Sequence, residues 1–247
     1  MRPSPGYVHK MKHLLSYALL TAIILSPIHL GAQSLESVLA AHRKASGYEK
    51  RKETLTITSI GKLTQMGTTL PISIIQKQPN RYRMDVHLPG ARITQGYDGK
   101  TGWSFNPFDE QDTLILQGAE LEQIRESSDF MGILNTYAVR RYQLEMKGRE
   151  TTDGRPMVVL HLKKPDRQEM FFYLDSQTWL IYKTEAHLRV EGMEVVAESW
   201  FEDYRMVSGM AFPFKIRNRN GHMVTEIQFE AVRINERLDD PLFKVNR

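Results

Sequence analysis

The 247-residue chain has no cysteine. Disulfide stapling, thiolate zinc sites, a cysteine nucleophile and lipid attachment at an N-terminal cysteine are thereby excluded. An excess of one charge is also missing from most of the chain. The formal net charge is +4, but residues 1–32 hold three basic residues (Arg2, Lys10, Lys12) and no acidic one. The remainder sets 30 basic against 29 acidic residues, which leaves no electrostatic basis for binding nucleic acid. Glycine (16) and proline (11) are near ordinary usage, so collagen-like and low-complexity classes are ruled out. Long apolar runs are absent too. Leu14–Leu25 (LLSYALLTAIIL) is followed at once by Pro27 and His29, well short of the roughly 18 apolar residues of a stable membrane span.

Catalytic and metal signatures are lacking as well. The sequence has no H-E-x-x-H, no G-x-S-x-G, no G-x-x-x-x-G-K and no G-x-G-x-x-G after a strand. His42, His87, His161, His187 and His222 show no metal-pair spacing. Glu194, Glu198 and Glu202 recur on one face of an expected strand and read as a solvated face rather than paired carboxylates. No catalytic residue, metal ligand or cofactor is assigned, and the chain reads as a non-enzyme.

What is present begins with a leader. Lys10 and Lys12 precede the apolar run, and Gly31-Ala32 offers small residues before Gln33. Residues 1–32 therefore read as a cleaved signal peptide, with Met1 or Met11 as the start, and residues 33–247 as one exported domain. Residues 34–46 have helical spacing, with Ser34 as a cap and Gly47 as a stop. Period-two alternation then dominates. Tyr82, Met84, Val86 and Leu88 oppose Arg81, Arg83, Asp85 and His87. Leu180, Tyr182, Thr184 and Ala186 oppose Lys183, Glu185 and His187. This is the pattern of an antiparallel sheet with one dry and one wet face. Asp98-Gly99, Asp153-Gly154 and Asn220-Gly221 mark hairpins. About 11–12 strands are expected, too many for a flat open sheet, so a closed or nearly closed barrel or a sandwich follows. Residues 117–137 break the alternation and read as two short helices inserted midway, with apolar positions that must cover something. Ten methionines beyond the leader and many aromatics suit either core filling or a surface that adapts to flexible apolar ligands.

Four segments, in two regions of the chain, carry a family resemblance. Lys77–Met84 (KQPNRYRM) is followed by Gly96–Trp103 (GYDGKTGW), Asn106 and Pro107. Near the other end stand Tyr204–Phe214 (YRMVSGMAFPF) and Ile234–Phe243 (INERLDDPLF). Their order and spacing resemble the LolA-like superfamily of periplasmic lipoprotein carriers, the outer-membrane lipoprotein-sorting proteins in particular. The segment 105–116 departs from that pattern. The resemblance implies a mainly β fold: a strongly curved antiparallel sheet, an unclosed barrel, with short helices over its concave face. It also implies a carrier that shields lipoprotein or lipid acyl chains between an inner-membrane donor and an outer-membrane acceptor protein. A different class, an envelope sensor or interaction module built on the same sheet, stands as the alternative. Under the carrier reading the expected lipid-binding residues are Tyr82, Met84, Val86, Ile93, Tyr97, Trp103 and Phe105. Leu121, Ile124 and Leu134 join them from the helical cover.

Overall fold

The computed structural model describes residues 33–165, 168–190 and 193–245. The leader expected at residues 1–32 lies outside them. Helix α1 (Leu35–Ser46) is capped by Ser34, whose hydroxyl accepts from the Ser37 N–H at 3.2 Å, and ends at Gly47 with φ 74°. A six-residue helix, α2 (Tyr48–Glu53), follows. The first meander comprises β1 (Thr56–Gln65), β2 (Thr68–Lys77), β3 (Arg81–Leu88), β4 (Ala91–Tyr97), β5 (Gly102–Phe105) and β6 (Thr113–Ile115). Then come α3 (Gly118–Ser127) and α4 (Ile133–Thr136). The second meander comprises β7 (Gln143–Thr152), β8 (Arg155–Lys163), β9 (Glu169–Asp175), β10 (Ile181–Val190), β11 (Met193–Val207), β12 (Met210–Asn220) and β13 (Met223–Ile234). A 3-10 turn, Asp240–Phe243, lies in the tail.

All strands join one 13-stranded antiparallel sheet, ordered β6-β5-β4-β3-β2-β1-β13-β12-β11-β10-β9-β8-β7. The one strand beyond those expected is β6, whose three residues are too few to show a period. It closes the β5–β6 hairpin through segment 105–116. The sheet is not closed into a barrel, and β6 and β7 are its free edges. Exposed Glu145, Lys147 and Arg149 line the β7 edge, where charge discourages pairing with another strand.

Curvature follows from what the helices reach. Helix α3 packs on β4 and β5, yet its Glu126 pairs with Lys164 at the end of β8. In a flat sheet β4 and β8 would lie about 43 Å apart, at ~4.8 Å per strand. A ten-residue helix is about 15 Å long. The sheet must therefore curl until its margins approach within one helix length, with the helices on the inner side.

The inner face is apolar across the sheet. One cross-strand row runs Ile93, Val86, Ile72, Gly61, Phe229. A second runs Leu70, Leu63, Ile227, Ile216, Phe201. The outer face is not the plain wet surface that alternation predicts. Trp200 is buried there beneath Arg217, 4.3 Å from its ring centre, with Lys183 at 5.1 Å. Glu198, expected to be solvated, is enclosed and paired with Lys183 and Arg219. A bulge between Ile181 and Lys183 also moves Tyr182 to this outer cluster, against the expected alternation.

Candidate functional site: the inner face and its helical cover

The two glycines flanking the Gly96–Trp103 motif explain its composition. A Cβ on Gly102 would stand 2.9 Å from both Ile124 and Leu121 side chains, so the glycine lets α3 lie directly on β5. A Cβ on Gly96 would stand 2.3 Å from the Trp103 ring, so that glycine lets the indole lie flat across β4 on the other face. Between them Asp98 closes the turn, its carboxylate accepting from the N–H groups of Lys100 and Thr101 at 2.9 and 2.7 Å.

The structure brings most of the expected lining residues together. Tyr82, Met84 and Tyr97 cluster with Leu121 and Ile124 of α3. Val86 packs in the central apolar cluster, and Ile93 is its cross-strand partner. Leu134 is buried elsewhere under the same cover, against α1, β8 and β9. Trp103 and Phe105 correct the expectation: they lie on the outer face. Trp103 donates its indole N–H to the Phe243 carbonyl at 2.8 Å. Phe105 pairs with Thr94, which donates to the outer carboxylate of Asp85. Their odd-numbered neighbours on β3, Arg83 and Asp85, are buried there rather than wet, under the tail. Arg83 donates to the Leu242 carbonyl at 2.7 Å, and Lys77 to that of Leu238 at 2.6 Å. Lys77 and Arg81 also pair with Asp240 at 2.8 and 3.1 Å. The basic residues of Lys77–Met84 thus hold the closing segment Ile234–Phe243, and the two motifs form one device.

The central inner face is plugged by Phe130, from the connection between α3 and α4. Only 1% of it is exposed, and it packs among Ile57, Ile72, Phe212, Phe214 and Phe229. Polar contacts pin this connection from several sides. Gln76 donates to the Ser127 carbonyl at 3.0 Å and Arg51 to the Phe130 carbonyl at 3.1 Å. Asp129 knots it internally, accepting from the N–H groups of Met131 and Gly132 at 3.2 Å each and pairing with Thr136 and Arg140. Glu126–Lys164 ties α3 across the mouth. Sequence periodicity gave no sign of Arg51 or Lys164. The Asp129–Gly132 spacing is a turn signal that marks the knot.

Beside the plug lies a cavity of about 240 Å³, lined by His42, Arg51, Met131, Leu134, Ile181 and Phe201 among others. Burial holds the His42 imidazole below its ordinary value of 6.5, against its bond to the Trp179 carbonyl, which favours the proton; Arg43 and Arg51 lower it further. At 2.9 Å from that carbonyl Nδ1 must donate, which leaves Nε2 as the acceptor in the neutral ring. A folded-state value below the unfolded one means that His42 stabilises above pH 6.5 and loses this contribution as pH falls through the lowered value. The stability gap between wild type and a His42→Gln variant, measured by urea midpoints, should be larger at pH 8 than at pH 5.

Among the described residues no helix is long and apolar enough to cross a membrane, and no group of three or more candidate side chains is placed to hold a metal ion. No protein-family model and no curated protein matches the sequence. Solved structures do. A DUF1329 family protein from Desulfovibrio piger superposes with a TM-score of 0.60 at 14% identity, over 84% of this chain and 97% of its own. A LolA superfamily protein from Nitrosomonas europaea gives 0.56 at 16% identity, over 82% and 97%. A putative outer membrane lipoprotein-sorting protein domain from Vibrio parahaemolyticus gives 0.57 at 12%, also over 82% and 97%. The chain has the LolA-like fold.

Proposed function

We propose that the protein is a soluble periplasmic carrier that shields the acyl chains of a lipoprotein, or of a similar amphiphile, on their way to the outer membrane. Residues 1–32 serve as its export signal. The observation that carries this reading is the apolar inner face: its rows cross strand after strand, yet Leu63, Leu70, Val86, Ile93 and Ile216 stay only half-buried. A finished core would cover them. The likeness to a lipoprotein-sorting domain supports the same reading.

Burying one CH₂ contributes roughly 0.8 kcal/mol, so a chain of about 16 carbons gains on the order of 12 kcal/mol on such a face. No covalent step is involved. The 240 Å³ cavity falls below the roughly 300–1,000 Å³ of a pocket for a drug-sized ligand, so loading requires the α3–α4 segment to lift. Lifting breaks Glu126–Lys164 and the Gln76 and Arg51 contacts and withdraws Phe130. An inner-membrane donor and an outer-membrane acceptor would supply and take the cargo directly.

The test is binding of a fluorescent fatty-acyl probe. Met84→Asp, on the inner face, should weaken it by roughly tenfold or more, because the chain would then contact a charge removed from water. His87→Asp, on the exposed outer side of the same strand, should leave it unchanged. Asp85, silent by periodicity alone, is no control, since it is part of the buried outer network. Equal losses in both folded variants, or no probe binding by the wild type, would overturn the carrier reading.

A further inference from the structure

We infer that the cavity at Arg51 is a head-group site that takes the carboxylate of a single-chain amphiphile, a fatty acid, with the tail laid along the inner face. This inference rests on the carrier reading and narrows its cargo.

Arg51 is a half-buried cation that lines the cavity and makes no ion pair among the described residues. Its guanidinium lies near the rings of Phe130 and Phe212, at 5.9 and 5.2 Å, and donates to the Phe130 carbonyl. A guanidinium has five N–H donors, and this one bond leaves the others to turn to a ligand in the cavity. Among the described residues no carboxylate stands within ion-pair distance of it. Asp129 also lines the cavity and is the acid whose charge Arg51 feels, but its carboxylate is engaged by the N–H groups of Met131 and Gly132, by Thr136 and by Arg140, so the ligand's charge is left to Arg51. Burial lowers the affinity of Arg51 for its proton more than Asp129 raises it, the signature of a cation short of compensation. His42, held neutral by burial, adds an acceptor and no charge.

Size and direction choose the ligand. About 240 Å³ admits a compact head group and not several chains. A carboxylate accepts two parallel bonds from one guanidinium, a geometry that a neutral ester or amide cannot match. Phe201 lines this cavity and also begins the row Phe201, Ile216, Ile227, Leu63, Leu70. A tail anchored at Arg51 can follow that row toward the half-covered end of the sheet.

The experiment compares dodecanoate with dodecanol as displacers of a neutral fluorescent acyl probe at pH 8. In the wild type dodecanoate should act at roughly tenfold lower concentration or better, the ordinary worth of a charge-assisted pair. Arg51→Gln should bring the ratio near one, whereas Arg51→Lys, which keeps the charge, should retain part of it. A general loosening of the cover would move both displacers together and leave their ratio intact. Equal displacement by both compounds in the wild type would overturn the head-group site while leaving the carrier reading in place. A ratio that survives in Arg51→Gln would overturn the assignment to Arg51. Failure of both compounds to displace the probe, or of the probe to bind, would remove the carrier reading together with this inference.

Discussion

Asp85→Ala should destabilise the fold by about 3–5 kcal/mol, seen as a fall in the urea midpoint at pH 7 with little change in slope. Asp85 and Arg83 are 5% and 4% exposed. Two parallel bonds join them, at 2.8 and 3.0 Å, and Thr94 donates to the same carboxylate at 2.6 Å. Deleting the carboxylate leaves the Arg83 guanidinium enclosed with only the Leu242 carbonyl and the Trp103 ring for company. An uncompensated buried charge is what makes such single deletions expensive. The double change Arg83→Met, Asp85→Leu should cost less than Asp85→Ala alone, because it removes the orphan along with its partner.

The same network has a definite pH signature. Burial pushes the Asp85 carboxyl up, but its bonds to Arg83 and Thr94, with the charges of Arg83 and Arg92, outweigh that and hold it below its ordinary 3.8. The folded value is therefore below the unfolded one. The contribution is complete above about pH 4 and is lost as pH falls through the folded value. Wild type and Asp85→Ala should converge in stability as the solution is acidified below pH 4. A single-variant loss under about 1 kcal/mol at pH 7, or a gap independent of acid, would mean that the pair does not stabilise the outer face.

Alternation in β3 told correctly that Tyr82 and Met84 leave the sheet on one side and Arg83 and Asp85 on the other. It could not tell that the second side is dry. What covers that side is the tail around Leu242 and Phe243, some 160 positions away in the sequence, and a period of two carries no information about such a partner. Trp103 departs from the carrier expectation for a related reason: β4–β5 has two dry faces, and an aromatic residue suits either. The inserted helices were legible from their spacing, because 117–137 matches neither strand nor turn chemistry. The plug is only half legible: Phe130 is one of the apolar positions within 117–137, but nothing local says which cluster it enters. Arg51 leaves no trace, since a basic residue on a six-residue helix looks solvated until the fold half-buries it beside Phe130 and Phe212.

Phe130→Ala should cost the free protein about 3–5 kcal/mol, the ordinary price of emptying a fully buried phenylalanine site. With saturating acyl ligand most of that loss should disappear. Phe130 fills the space among Ile57, Ile72, Phe212, Phe214 and Phe229, and under the proposed carrier function an acyl chain would take that space, so plug and cargo would compete. In the wild type binding must first withdraw the ring. In the variant the ring is already gone and the chain fills the void, so probe affinity should rise by roughly tenfold or more, each 1.4 kcal/mol of plug energy no longer opposing binding being worth a factor of about ten. The knot at Asp129 and the Arg51 bond to the 130 carbonyl involve backbone and other side chains, and they remain in the variant to hold the segment in place. Thermal unfolding with and without ligand, together with probe titration, measures both halves. A stability loss that is the same with and without ligand, with affinity unchanged or lower, would make Phe130 an ordinary core residue and place the acyl chains somewhere other than beneath it.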